Sequence, residues 1–115
     1  MGLDAYGKTR NPKTGEVDQI AYWRKHNALH GWMETKWRER GGTGDFNGVP
    51  LELTLEDLEE LEKEVKNNSL PETQGFFFGP DSRGDEYQDE LTLEFIQEAR
   101  EAIKDGFDVA YDSWW

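Results

Sequence analysis

The chain has no cysteine among its 115 residues, so disulfides, thiol catalysis and thiolate metal sites are excluded. Apolar residues are also scarce, because they make up 35% of the chain and the mean hydropathy is −0.94. No apolar run approaches the roughly eighteen residues that a transmembrane helix needs. The first residues are polar and contain glycine, so they predict no signal peptide. These features predict one domain over residues 1–115 that works in a cytoplasm without binding a membrane.

Basic residues are outnumbered, with 13 Lys and Arg against 25 Asp and Glu, and the two kinds are unevenly spread. Residues 1–40 carry eight basic and five acidic side chains, a net charge of +3. Residues 41–115 carry five basic and twenty acidic side chains, a net charge of −15. An overall charge of −12 repels nucleic acid, so direct binding of nucleic acid is not expected. Two interpretations stay open: solubility with internal complementarity, or an acidic face for a basic partner beside a basic pocket for an anion.

Aromatic residues are concentrated between Ile20 and Trp37, where no proline interrupts the chain. This stretch predicts a long helix that is capped by Asp18 and ends near Arg40, before Gly41 and Gly42. A buried face that is both aromatic and polar predicts either a core with internal hydrogen bonds or a lined pocket. At helical spacing, the residues that share this face are Tyr22, His26, Leu29, Met33 and Trp37.

The remaining chain predicts two shorter amphipathic helices and a small sheet. Thr54 caps the second helix, with Asp57 completing an approximate capping box, and residues 67–68 end it. An acidic loop over residues 80–90 precedes a third helix from about Thr92 to Asp105. The chain termini and the segment GFFFG (residues 75–79) predict strands, and the two terminal strands are expected to pair. The predicted fold class is α+β, with one long aromatic helix and two shorter ones against this sheet.

Cationic, aromatic and amide side chains occur together in the predicted long helix, which suits a nucleotide-like anion. Lys25, with Arg24 beside it, would meet a phosphate next to Trp23 or Trp32. Asn27 or His30 would read base edges while aromatic faces stack on the base. The alternatives are a solvated or ion-paired Arg24–Lys25 and a purely structural role for the phenylalanines. The predicted ligand-binding residues are Tyr22, Trp23, Arg24, Lys25, Asn27, His30, Trp32 and Phe77.

The sequence patterns that would indicate a metal site or a catalytic site are weaker than the pattern for anion binding. His26 and His30 are four residues apart and Glu34 continues their row, so they resemble one edge of a metal site. A third ligand would have to come from Asp85 or another distant acid, and a satisfied core histidine is the alternative. His30 with Asp85 or Asp4 would suit a general base. No catalytic residue, metal ligand or cofactor is predicted.

Five fragments are colinear with a family of small phage proteins: MGLDAY, AYWRKHNALHGWM, LP before GFFFG, DEY, and VAYDSWW. Members of that family begin MGLD, carry a YWRK-x-N-x-x-H-x-W helix and end in a tyrosine-containing strand with Ser-Trp. The resemblance covers about a third of the chain. The tail YDSWW and the acidic stretch from Asp81 to Glu90 depart from the pattern. Some relatives have a kinase-like name, but this chain has no glycine-rich phosphate loop with Lys-Ser/Thr.

The resemblance implies a phage accessory protein, acting in the host cytoplasm, rather than a virion component. The leading hypothesis is a non-enzymatic binding module that sequesters a small anionic, nucleotide-like molecule such as a host defence signal. The alternative is an acidic inhibitor of a host protein that uses the second helix and the 81–90 loop to mimic nucleic-acid charge. A small nucleotide hydrolase is the third hypothesis. A homo-oligomer formed through exposed aromatic residues also stays open.

Overall fold

The computed structural model describes residues 3–71 and 85–115, and within them it contains three helices and four strands. The predicted α+β fold is therefore confirmed. The predicted GFFFG strand, including Phe77, lies outside the described residues. The elements in chain order are β1 (Asp4–Arg10), β2 (Val17–Arg24), α1 (Asn27–Glu39), β3 (Leu51–Leu53), α2 (Leu55–Lys66), α3 (Glu86–Lys104) and β4 (Asp108–Trp114).

The two terminal strands pair at the centre of the sheet, as the alternation of their side chains predicted. The strand order is β2-β1-β4-β3, and every pairing is antiparallel. β1 and β4 pair without a break from Asp4 opposite Trp114 to Arg10 opposite Asp108. β2 returns along β1 through a tight loop in which the Asn11 amide donates to the Glu16 carbonyl over 2.8 Å. The short edge strand β3 was not anticipated.

The predicted helix from Ile20 to Trp37 is wrong over its first part, because Val17–Arg24 forms β2. Aromatic and β-branched residues also favour strands, and pairing with β1 satisfies the backbone of this segment. The chain then turns sharply at Lys25, whose φ is +56°, and α1 begins at Asn27. Asp18 is therefore a strand residue and caps no helix. The predicted helix end is confirmed to within a residue, since α1 stops at Glu39.

The other two helices are confirmed, with one change in length. Thr54 and Asp57 form the capping box of α2 through reciprocal hydrogen bonds of 3.1 and 3.0 Å. α3 begins at Glu86 rather than near Thr92, because Asp85 caps it by accepting from the Gln88 amide. With 19 residues α3 is longer than the 13-residue α1, so the predicted order of helix lengths is wrong. Residues 86–90, predicted as an acidic loop, are its first turns.

One face of the sheet packs against the helices and holds the hydrophobic core. Alternate residues of β1, including Ala5, point to this face and are buried. Gly7 lies there directly under Phe95 of α3, which leaves no room for a side chain. The intervening residues, among them Tyr6 and Lys8, point to the opposite face. In the described part of the chain, no helix combines the length and apolar character needed to cross a bilayer.

Gly7→Ala is expected to lower the free energy of unfolding by about 1–3 kcal/mol, because a Cβ at this position would lie 2.6 Å from Cδ1 of Phe95. Chemical denaturation measures the change. In a Phe95→Leu background the same substitution should cost less, since the obstructing ring is gone. Equal losses in the two backgrounds would contradict the proposed contact.

Candidate ligand-binding face

The sheet face turned away from the helices carries a regular grid of side chains, which we call the open face. Its first row runs across the strands as Arg24, Asp4 and Trp114. Its second row contains Tyr22 and Tyr6, followed by Asp112 on β4. Lys8, Ala110 and Glu52 form the third row, and Arg10 and Asp108 belong to the fourth. Because strand residues alternate between faces, the buried residues between these positions belong to the core.

Tyr6 and Tyr22 form an aromatic platform at the centre of the open face. Their ring centres are 5.5 Å apart, with the rings tilted by 38°. The Tyr22 hydroxyl donates a 2.7 Å hydrogen bond to Oδ1 of Asp4, and this bond raises the pKa of that hydroxyl. Tyr22 is 42% exposed, and Trp114, which lies opposite Asp4, is 68% exposed. The platform is therefore accessible to a planar ligand.

Cationic side chains flank the platform at both ends. The Lys8 ammonium lies 5.4 Å from the Tyr6 ring centre and pairs with Asp112 at 3.0 Å. Arg24 and Lys25 are exposed at the other end, where β2 meets the turn into α1. Neither of these two side chains forms an ion pair within residues 3–71 and 85–115, so both charges are available to an anion.

A basin of about 510 Å³ extends the open face beyond the platform. Ala110 is a small residue between Lys8 and Glu52, and the longer neighbours form the walls around it. Arg10 and Asp108 pair across its far end at 3.3 Å. The basin has mixed charge, whereas Arg24 and Lys25, which make no ion pair with any described residue, lie at the platform.

Trp23 was predicted as a ligand-binding residue but is completely buried in the core. Its indole nitrogen donates to the Thr92 hydroxyl over 3.0 Å, and Thr92 in turn donates to the Gln88 carbonyl over 2.8 Å. The ring meets Phe95 edge to face, with centres 5.1 Å apart. Trp23 therefore attaches β2 to α3 and does not face solvent.

His30 and Asn27 are also completely buried, in the first turns of α1. Nδ1 of His30 is 2.9 Å from the Tyr111 hydroxyl, and the imidazole stacks on Phe46 with ring centres 5.2 Å apart. Burial lowers the pKa of His30 to about 4 and raises the pKa of Tyr111 well above its usual value. His30 is therefore a neutral core residue.

The groups proposed to support a histidine base are not arranged around His30. Asp4 belongs to the open face, on the other side of the sheet. Burial lowers the pKa of His26 to about 4, and the negative charge of Asp85 opposes this shift only in part. Glu34, which continues the row of the possible metal edge, pairs with Arg38 at 2.7 Å, and its charge opposes only part of the effect of burial on the pKa of His30. Within the described ranges, no group of three or more His, Asp or Glu side chains is arranged to hold a metal ion.

Trp32 is the remaining predicted residue of α1, and it is almost entirely covered. The Lys36 ammonium lies 5.3 Å from its ring centre and pairs with Glu60 of α2 at 2.8 Å. Of the eight predicted ligand-binding residues, Tyr22, Arg24 and Lys25 lie together in an exposed position. Trp23, Asn27, His30 and Trp32 lie in the core, and Phe77 is outside the described residues.

Sequence reasoning missed the partners that β1 and β4 contribute to the open face. These are Asp4, Tyr6 and Lys8 from β1, with Trp114 from β4. Their signal was present, because alternation in DAYGKTR and VAYDSWW separates them from the buried residues. Because Tyr22 and Arg24 were assigned to a helix, the predicted sheet lacked β2, which places these two residues beside Tyr6 and Asp4.

The described structure is that of an α+β protein. Its helices lie on one side of the sheet, and the open face on the other side carries two tyrosine rings with cationic side chains beside them. No protein-family model, no curated protein and no solved structure matches this chain. Its function must therefore be inferred from the chemistry of the residues themselves.

The buried histidines predict a loss of stability in mild acid. His26 and His30 each have a pKa of about 4 in the folded protein and an ordinary value of 6.5 in the unfolded chain. Below pH 6.5 the unfolded state therefore binds more protons, and stability falls until the pH passes the folded value. Between pH 6.5 and about pH 5 the free energy of unfolding should drop by about 1–2 kcal/mol per histidine.

Denaturant titrations across this pH range measure that loss, because most carboxylates ionise below it. Imidazole proton shifts in NMR spectra provide an independent check, since neither ring should titrate above about pH 5 in the folded protein. A constant unfolding free energy, or a histidine that titrates near its ordinary pKa, would show that the rings are not buried as described.

Proposed function

We propose that this protein is a phage accessory protein that acts on the host as a non-enzymatic binding module, sequestering a small anionic, nucleotide-like molecule. The observation that carries the proposal is the accessible Tyr6–Tyr22 platform with the exposed Arg24 and Lys25 at its end. The phage setting rests on the sequence resemblance. A signal molecule of host defence is the natural target, since removing it requires binding and no chemical step.

Typical interaction free energies favour a ligand that has both an aromatic ring and a phosphate. Stacking a base on an aromatic side chain contributes about 1–3 kcal/mol. Two charge-assisted hydrogen bonds from Arg24 and Lys25 to a phosphate would each add about 1.5–3 kcal/mol. Their sum, before the cost of association is subtracted, is on the order of 4–9 kcal/mol, so stacking and the phosphate contacts are both needed for measurable affinity. A ligand with both an aromatic ring and a phosphate therefore gains most from this face.

The net charge of −12 does not prevent such binding. Electrostatic interactions in physiological salt fade over a Debye length of about 8 Å. The acidic helices lie on the other side of the sheet from the platform, so their repulsion is screened there more strongly than the attraction of Arg24 and Lys25. A long nucleic acid would still meet the acidic surface, which favours a small ligand.

Native mass spectrometry of protein purified from its producing cells tests for a retained ligand. Release of a nucleotide-sized anion on denaturation would support sequestration and identify the ligand class. A clean apo mass, combined with no thermal shift across a panel of nucleotides, would count against the proposal.

Tyr22→Ala should weaken binding of that ligand about 5- to 150-fold, because it removes half of the stacking platform. Isothermal titration calorimetry measures the change, and Tyr87→Ala is the matched control. Tyr87 is a 70% exposed tyrosine on α3 and should be replaceable without effect. Equal affinities of the two variants would exclude the platform as the binding surface.

A double Arg24→Gln, Lys25→Gln variant separates the contribution of charge from that of stacking. It should reduce affinity at least about tenfold through loss of the phosphate contacts. The control is Lys63→Gln with Lys104→Gln, which removes two exposed positive charges from α2 and α3. If both pairs weaken binding equally, general attraction and not a local contact holds the ligand.

The acidic inhibitor is retained as the second candidate because of a specific feature of α3. Glu86, Glu90, Glu94 and Glu98 repeat every fourth residue, so exposed carboxylates follow one side of the helix about 6 Å apart. Within the described residues none of the four makes an ion pair. By contrast, Glu60 and Glu62 of α2 pair with Lys36 and Arg100. The α3 row therefore resembles a phosphate backbone more closely than α2 does.

Replacing Glu90, Glu94 and Glu98 with glutamine should weaken capture of a basic host protein about tenfold or more, if this row contacts it. Binding should also be competed by duplex DNA and fall steeply with salt. Glutamine at Glu56, Glu59 and Glu64 of α2 changes the net charge equally and is the control. Equal effects of the two triple variants would exclude recognition by the α3 row.

The hydrolase has the least support. A general base must come within hydrogen-bonding reach of its substrate. His30 is completely buried beside Tyr111 and cannot reach a molecule bound on the open face, which is on the other side of the sheet.

A further inference from the structure

Asp4 is a carboxylate surrounded by the aromatic side chains of the open face. It lies between Arg24 and Trp114 across the strands and two residues before Tyr6. Its Oδ1 accepts the hydroxyl of Tyr22, which holds the carboxylate beside the platform. A planar ligand stacked on the two tyrosines would therefore bring its edge to Asp4.

The hydrogen-bonding capacity of Asp4 is mostly unused. An ionised carboxylate only accepts hydrogen bonds and has about four acceptor positions. The Tyr22 hydroxyl fills one of them, and within residues 3–71 and 85–115 no other donor contacts the side chain. Arg24 lies opposite in the register but forms no ion pair with it. Asp4 can therefore accept two further hydrogen bonds from a ligand.

The nucleobases differ in how well they match such an acceptor. Guanine presents two adjacent donors, the ring N1–H and the exocyclic 2-amino group, which fit both oxygens of one carboxylate. Adenine and cytosine place an acceptor nitrogen beside their amino donor, and that lone pair would repel Asp4. Uracil has a single N–H between two carbonyl acceptors. A carboxylate at this position thus favours guanine over the other bases.

We propose that Asp4 makes the open face selective for guanine nucleotides, with the base stacked on Tyr6 and Tyr22 and its two-donor edge hydrogen-bonded to the carboxylate. This inference rests on the proposed function and specifies its ligand. Lys8 and Arg24 lie on either side of the platform, and with Lys25 in the turn that follows they would contact the phosphate. Asp4 selects the base and contributes nothing to attraction of the anion.

Calorimetric titration with three nucleoside monophosphates tests this selectivity, because GMP, IMP and AMP carry the same phosphate. GMP should bind about 5- to 150-fold more tightly than AMP, the range expected for one bidentate contact. IMP lacks the 2-amino group but keeps the N1–H, so its affinity should lie between the two. Equal affinities for GMP and AMP would overturn the inference while leaving the proposed function intact.

Asp4→Asn provides the decisive variant. An amide offers one acceptor and one donor, so the preference for GMP should vanish or turn toward AMP. Asp108→Asn removes the same charge from the far end of the open face and should keep the preference for GMP. If both variants shift the GMP-to-AMP ratio alike, Asp4 does not read the base. If wild type binds none of the three nucleotides, the selectivity is overturned, and the native mass spectrum with the nucleotide panel decides separately whether the proposed function stands.

Discussion

Pairing of the first strand with the last is the constraint on which the described structure depends. β1 and β4 are separated by almost the whole chain, yet they pair without a break from Asp4 opposite Trp114 to Arg10 opposite Asp108. This register decides which side chains face the helices, because a shift of one residue would exchange the two faces. Tyr111 is thereby buried against α1, while the half-buried Tyr6 and the exposed Trp114 point to the opposite side. β2 and β3 add only to the outer sides of this pair.

The core is unusual in using polar aromatic residues to join its layers. Trp23 attaches β2 to α3 through Thr92, and His30 attaches α1 to Tyr111 of β4. Each bond satisfies a buried polar group, and leaving such a group unsatisfied costs about 1–3 kcal/mol. These residues therefore combine a large apolar area with a directional contact, which compensates for the scarcity of aliphatic residues. The polar character that suggested a pocket has a structural role in the core.

The same sheet separates two surfaces with different chemistry. Two tyrosine rings with both cations and carboxylates around them occupy the open face, whereas a row of exposed glutamates on α3 lies on the helical side. The sheet and the helical layer separate the carboxylates of α3 from the platform, and salt screens what remains of their field. A small anion can therefore be bound by a strongly acidic protein. The acidic side would at the same time keep long nucleic acids away from the platform.

Much of the fold was predictable because local patterns agree with their final environment. The capping box at Thr54, the apolar spacing of the third helix after Thr92 and the alternation of the terminal strands depend on short-range geometry. The stretch around Tyr22 was mispredicted because aromatic residues at mixed spacing suit a strand or a helix, and only the partner strand distinguishes them. By itself, then, the sequence determined the α+β class, the end of α1, the helix that Thr54 caps and the pairing of the termini. Tertiary structure alone decided that Trp23 is buried while Tyr22 and Arg24 are exposed, because sheet register assigns neighbouring residues to opposite faces. It also decided the burial of His30, which packs on Phe46 and Tyr111 from distant parts of the chain.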